Sequence, residues 1–269
     1  MASSKQPDRQ FDDDDAAIED EEADEEFAEL QRTMSSKRRD HKEKVKENRI
    51  QEILPFPFAP NIRPLGISDL RSTVALENAA FSNPKHRASP EKLEYRLTKC
   101  PELSLGVFCT VVPDLAKDFD IETLATAHPV ETDRADQAKS VLLAHIIATA
   151  SNSSTVQDSD MEIPAGWQAS QAQRVEKGHR EGGRTICVHS LAVSPKLQGC
   201  GLGKLIMKSF LQQMKNLGSE RVALICQDYL VSYYERFGFR HAGKSKAEFG
   251  GGGWHDMVMD FPGPAQSSK

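Results

Sequence analysis

Val188-His189-Ser190-Leu191-Ala192-Val193, followed after four residues by Gln198-Gly199-Cys200-Gly201-Leu202-Gly203-Lys204, decides how the chain is read. The first run alternates like a strand. The second opens an amphipathic segment in which Leu205, Ile206, Phe210, Met214 and Leu217 recur at helical spacing. A glycine-rich turn between strand and helix sets several backbone N–H groups at the positive end of the helix, which suits phosphate oxygens. A histidine on the strand just before it places a candidate base beside that anion site.

The rest of the 269 residues is uneven. Asp12 to Glu29 holds twelve acidic residues and no basic one, and Arg32 to Arg49 holds eight Lys or Arg against three acids. Dense charge with few aromatics cannot bury enough apolar surface to offset the entropy of ordering. Residues 1–55 are therefore expected to form a disordered charged tail. Residues 1–29 sum to −11, so the formal −6 of the chain leaves +5 for the remainder. Residues 56–265 then suffice for one domain with a sizeable core.

Five cysteines without a C-x-x-C pair suit reduced thiols in the cytoplasm better than a disulfide framework. The longest apolar run, Val141 to Ala150, is about half of the ~20 residues that span a bilayer. The acidic start does not read as a secretory signal. A cytoplasmic monomer is expected, with no membrane, nucleic-acid or metal partner.

Pro55-Phe56-Pro57-Phe58-Ala59-Pro60 punctuates the end of the tail. Ile62 to Leu65 reads as a first strand, Ser68-Asp69-Leu70 as a helix start, and Ser89-Pro90-Glu91 as a second, with a cap and a proline in its first turn. Strands follow at Leu103 to Val112, Val141 to Thr149, Thr185 to Ser194, Arg221 to Gln227, Phe239 to Ala242 and Trp254 to Phe261. A short helix over Val231 to Phe237 ends at Gly238. Between the third and fourth strands lies a stretch rich in Ser, Gln, Asp and Gly, read as a flexible surface insertion over about 150–183. The order predicts an α/β (α+β) fold: a central, mixed but mostly antiparallel sheet of about seven strands flanked by about four helices.

Alone, the glycine turn has several owners. Dinucleotide binding fits poorly, because the turn follows the fourth strand and no acid ends the next one. A Walker loop fits worse, since Leu205 follows Lys204 where Ser or Thr belongs. A second block narrows the choice: Val222-Ala223-Leu224-Ile225-Cys226 leads into Tyr233-Tyr234-Glu235-Arg236-Phe237-Gly238-Phe239. Together the two blocks resemble the acetyl-coenzyme A site of the GNAT acetyltransferase superfamily. Cys100-Pro101-Glu102-Leu103-Ser104-Leu105-Gly106-Val107-Phe108 and His189-Ser190-Leu191-Ala192-Val193 further resemble the serotonin (arylalkylamine) N-acetyltransferases. Arg87-Ala88-Ser89 is similar to the related fungal polyamine acetyltransferases.

The resemblance covers Ile62 to Phe261 outside the insertion and implies a sheet splayed between strands 4 and 5. Leu191, Ala192 and Val193 would then offer backbone groups to the pantetheine arm of acetyl-coenzyme A as co-substrate. Gln198, Gly199, Cys200, Gly201, Leu202, Gly203 and Lys204 would hold its pyrophosphate, although Lys204 reads equally as a solvated helix residue. His189 falls where the family places a catalytic histidine, and Tyr234 where it places the tyrosine that protonates the departing thiolate. Cys187 departs from the pattern, standing where the family's first histidine belongs. His145 either joins a proton relay or is a satisfied core histidine.

Phe81, Ile225 and Trp254 match the family's apolar amine pocket and equally suit the core. The expected reaction moves acetyl to a small primary amine, an arylalkylamine such as serotonin or tryptamine or a polyamine, in a ternary complex. The competing readings are acetylation of a protein or peptide amine, and a non-catalytic GNAT-like binding module.

Overall fold

A computed structural model describes residues 49–130, 137–169 and 177–262 of the chain. The charged tail expected over residues 1–55 lies outside the described residues up to residue 48. Residues 49–53 are helical, and Ile50, Leu54 and Phe56 are buried at 3%, 4% and 3% exposure in the main core. Ordered packing thus starts before the expected boundary at residue 56. Ile50, Ile53 and Leu54 supply the apolar positions that the charge-based reading passed over.

Among the described residues eight strands form one sheet: β1 (Pro60–Pro64), β2 (Ser104–Val111), β3 (His128–Pro129), β4 (Lys139–Ser151), β5 (Thr185–Val193), β6 (Arg221–Cys226), β7 (Arg240–Lys244) and β8 (His255–Asp260). Their order is β1-β2-β4-β5-β6-β8-β7, with the two-residue β3 pairing with β4 beside that path. Every pair is antiparallel except β5 with β6. The extra strand β3 makes eight where about seven were expected. It is too short to carry a period-2 signal.

Besides the helical residues 49–53, five α-helices among the described residues flank the sheet: α1 (Leu70–Ala80), α2 (Pro90–Lys99), α3 (Asp158–Met161), α4 (Leu202–Asn216) and α5 (Val231–Glu235). The start of α2 is as its sequence predicts, with Pro90 in the first turn and the Ser89 hydroxyl accepting from the Lys92 N–H at 3.2 Å. At the start of α1, Asp69 makes no side-chain cap. Its carboxylate instead takes a forked pair of 2.8 Å bonds from Arg63 and a third from the Gly66 N–H.

Strand β4 lies between β2 and β5 and is covered on both faces. Its residues Val141 to Ser151 are therefore all buried, and its sequence is a continuous apolar run rather than an alternating one. On β5 and β6 the faces separate cleanly. Ile186, Val188, Val222 and Leu224 join the cluster containing Ile206, Phe210 and Met214 of α4. Cys187 and Ala223 point the other way, into a cluster with Val156 and Met161.

Those last two residues belong to the insertion, which corrects its reading as a flexible surface segment. Part of this stretch is packed, although Asn152, Ser154, Ala165, Gly166 and Gln168 are exposed. Val156, Asp160 and Met161 are buried. Asp158 accepts from the backbone N–H groups of Glu248 and Phe249, and the Tyr95 ring meets Trp167 edge-on at 5.3 Å. Two apolar residues in a polar stretch carry no periodicity, so their role shows only in the packed chain.

All five cysteines are unpaired and buried. Among the described residues no helix is long and apolar enough to cross a membrane. Because Ile50 fills the main core, Ile50→Ala is expected to cost about 2–5 kcal/mol of unfolding free energy, measured by urea denaturation. A loss under about 0.5 kcal/mol, typical of surface changes, would place the residue outside the cooperative core.

Candidate active site

Strands β5 and β6 are paired only from Thr185 to Val188 against Arg221 to Leu224. Beyond that, β5 stays bonded to β4 as far as Val193, and β6 to β8 as far as Cys226. The two strands therefore part, leaving the β6-facing edge of His189 to Val193 without a strand partner. This is the splay expected between the fourth and fifth strands, which β3 renumbers as β5 and β6. Leu191, Ala192 and Val193 sit on that edge.

A β-bulge marks the parting. Val188 lies opposite Ala148 and Ser190 opposite Ile147, so His189 is the extra residue. The bulge turns His189 and Ser190 onto one face, the face of α1 and α2. His189 meets the Thr149 hydroxyl through Nε2 at 2.8 Å, while its buried Nδ1 has no partner among the described residues. Burial, then the positive charges of Arg96 and Lys92, hold its conjugate acid well below the usual histidine range. The ring is thus neutral at physiological pH.

Ser190 enters a buried network. Its hydroxyl donates to Glu77 Oε2 at 2.6 Å, the same oxygen lies 3.1 Å from His145 Nε2, and Glu77 Oε1 accepts from the Ala88 N–H at 2.9 Å. His145 is fully buried there, with Nε2 in the network and Nδ1 without a partner among the described residues. Burial works to raise the Glu77 carboxyl, but the bonds from His145, Ala88 and Ser190 outweigh it and hold it below its usual range.

The glycine turn is built for close approach. Gly199 and Gly201 have φ of 75° and 100°, and Gly201 is the left-handed residue that enters α4. No side chain caps this helix, and the first turn of any α-helix has N–H groups that lack an intrahelical carbonyl. A Cβ on Gly203 would lie 2.9 Å from the Tyr233 hydroxyl, so glycine lets the first turn pass that ring. Gln198 is exposed and reaches the Val193 carbonyl at 3.3 Å, whereas Cys200 and Leu202 are buried beneath the turn.

Tyr234 lies on the opposite face, in the cluster under α4, with its ring edge-on to Phe239 at 5.8 Å. Burial, then Tyr233, Cys226 and Tyr229, push its phenol up, so it stays protonated. No hydrogen bond joins it to His189 among the described residues; the two flank the opening from either side of the sheet. Burial also pushes the Cys187 thiol up, which keeps it a thiol.

Trp254 is 8% exposed, donates its indole N–H to the Phe249 carbonyl at 2.6 Å and meets His86 edge-on at 4.9 Å. Ile225 packs in the Cys187 cluster beside Phe249. Phe81 packs separately, against the cluster of Leu76 and Leu93. The structure thus links Ile225 and Trp254 through Phe249, while Phe81 packs in a different cluster.

Arg96 and Thr149 were missed in the sequence. The signal for Arg96 was a charge on the apolar stripe of α2, between Leu93 and Cys100. Among the described residues no group of three or more His, Cys, Asp or Glu is placed to hold a metal ion.

A mixed sheet that parts beside a glycine turn and a helix N-terminus is the architecture of the GNAT acetyltransferases. Residues 131–261 match the model of the acetyltransferase (GNAT) domain. Serotonin N-acetyltransferase of Mesocricetus auratus is 41% identical over 69 residues, which are 24% of this chain and 32% of that protein. The Homo sapiens enzyme is 39% identical over the same shares. The match thus spans about a third of these relatives. The ribosomal-protein-S18-alanine N-acetyltransferase of Escherichia coli superposes with a TM-score of 0.45 at 12% identity, covering 78% of this chain and 99% of that one.

The depressed Glu77 carboxyl stabilises the fold fully above the ordinary value of 4.5, and that stabilisation is lost as pH falls through the lower folded value. Glu77→Gln is therefore expected to cost about 2 kcal/mol at pH 7, with the gap to wild type closing below pH 4.5. Urea unfolding at both ends of that range checks this.

Proposed function

We propose that this domain transfers acetyl from acetyl-coenzyme A to a small primary amine, with arylalkylamines as the leading acceptors. The observation that carries the reading is the parting of β5 and β6 with a neutral histidine at its bulge and a glycine-entered helix at its end. The free strand edge at Leu191, Ala192 and Val193 suits the amides of a pantetheine arm, much as an added strand would. The turn from Gln198 to Lys204, with its left-handed glycines at the entry to α4, suits a pyrophosphate.

When bound, acetyl-coenzyme A supplies an acetyl thioester open to attack by an amine. The residues of the chain handle protons. An alkylammonium has a pKa near ~10.4, so a base must take its proton before the nitrogen can attack. We assign that task to His189, whose Nε2 meets the Thr149 hydroxyl. Tyr234 keeps its proton and gives it to the departing sulfur. Cys187, a buried thiol, contributes neither charge nor base, so no second imidazole shares the work of His189.

Serotonin N-acetyltransferases, to which the chain is similar, are named for an arylalkylamine acceptor, and this supports placing Phe81, Ile225 and Trp254 around the amine body. The test is release of coenzyme A with a panel of amines. No release with any amine, despite coenzyme A binding, would sink the reading. His189→Ala is expected to lower kcat/KM by about 10²–10⁴, and Tyr234→Phe to lower kcat with unchanged coenzyme A affinity. The acid-side fall of wild-type kcat/KM from protonation of His189 is expected below pH 6.5, because the folded imidazole titrates under that ordinary value.

A further inference from the structure

Arg96 is 3% exposed yet makes one hydrogen bond, from Nη2 to the Met161 carbonyl at 3.1 Å. Its Nε is buried and meets no acceptor among the described residues. A buried guanidinium with so few partners is costly and needs a reason.

The carboxylates around it are committed elsewhere. Glu77 is held by Ser190, His145 and the Ala88 N–H. Asp160 is held by the Ser151 hydroxyl and the Gln157 N–H, and Glu162 pairs with Lys177.

Its place is fixed from two sides. The Cys100 thiol, one turn on, bonds both the Arg96 carbonyl and the Ala148 carbonyl of β4, next to Thr149. Met161 packs with Cys187, two residues before His189 and on the same face. One turn before Arg96, the Lys92 ammonium lies 5.5 Å from the Phe249 ring, whose carbonyl holds Trp254. Two cations therefore stand over the face that presents His189, and their charges are felt there.

We infer that Arg96, seconded by Lys92, is a specificity-determining residue that selects acceptor amines by charge, admitting monoamines with a neutral or anionic body and rejecting those with a second ammonium group. This rests on the acetyltransferase reading and decides between the two acceptor classes it leaves open. A diamine would bring its far charge, already desolvated, towards a buried guanidinium, while a carboxylate at that end would supply an acceptor for the Arg96 Nε, which has none among the described residues.

The experiment compares kcat/KM for hexylamine, 1,6-diaminohexane and 6-aminohexanoate, one carbon chain with three far-end charges, in wild type, Arg96→Met, Arg96→Lys and Lys92→Met. Wild type is expected to use the diamine about tenfold less well than hexylamine, the scale of one like-charge contact at a part-buried site, and to use the aminohexanoate best of the three. Arg96→Met is expected to bring the three within about threefold of one another, Arg96→Lys to keep the ordering, and Lys92→Met to narrow it by less. Thermal melting with and without coenzyme A shows which variants are folded, and Lys92, being only half-buried, keeps the test alive if Arg96→Met unfolds. Rates that do not order by far-end charge in wild type, or an ordering unmoved in every folded Met variant, overturn the inference. Absence of turnover with all three amines and with aromatic amines would instead overturn the acetyltransferase reading.

Discussion

Everything at the site depends on β5 being bonded to β4 along nearly its whole length but to β6 for only four residues. A strand held on one side and free on the other keeps its geometry while its second row of backbone groups waits for a partner. Buried backbone polar groups are rarely left unpaired in folded proteins, so such an edge is an unfinished ladder. It ends where Gly201 turns the chain into α4, and a linear ligand that completes the ladder would arrive with its anionic end at the helix N-terminus. Edge and turn thus make one site, although each is commonplace alone.

The bulge at His189 links this opening to the helices. An ordinary strand would put His189 and Ser190 on opposite faces; here both face α1 and α2. Ser190 is then tied to Glu77 on α1, and Glu77 also holds His145 on β4 and the backbone just before α2. One carboxylate therefore sets the separation of two helices and two strands. Removing any one partner would strand a buried polar group, which costs more than the missing bond itself. That arrangement fixes the direction of His189 without touching the imidazole.

Local features of this design were legible in the sequence. Ser89-Pro90 marked a helix start, the run from Val141 to Thr149 marked a strand, and the glycine turn marked the entry to α4. The splay came through the resemblance of two motif blocks and is seen in the strand register. What the sequence hid depends on distant partners. Val156 and Met161 are isolated apolar residues in a polar stretch, so nothing in their spacing shows that they cover Cys187. The bulge is a mismatch between two strands and has no signature in either one. Ile50 and Leu54 were masked by the charges around them, because composition averaged over a window dilutes a few buried positions.

Cys187 raises the question of how a single imidazole copes where a pair was expected. A second histidine would have added a group able to carry charge inside the sheet face; the thiol, with its proton held firmly by burial, adds none. Arg96 and Lys92 act in the same direction, since cations beside His189 penalise its protonated form. The consequence has two sides. In the proposed transfer this base would stand unprotonated at neutral pH, and a proton passed to it would be weakly held. A proton poorly held passes on quickly, so this environment favours His189 as a relay towards water over His189 as a reservoir. The Thr149 hydroxyl on its other nitrogen is then the natural element for keeping the ring in one orientation while that proton moves.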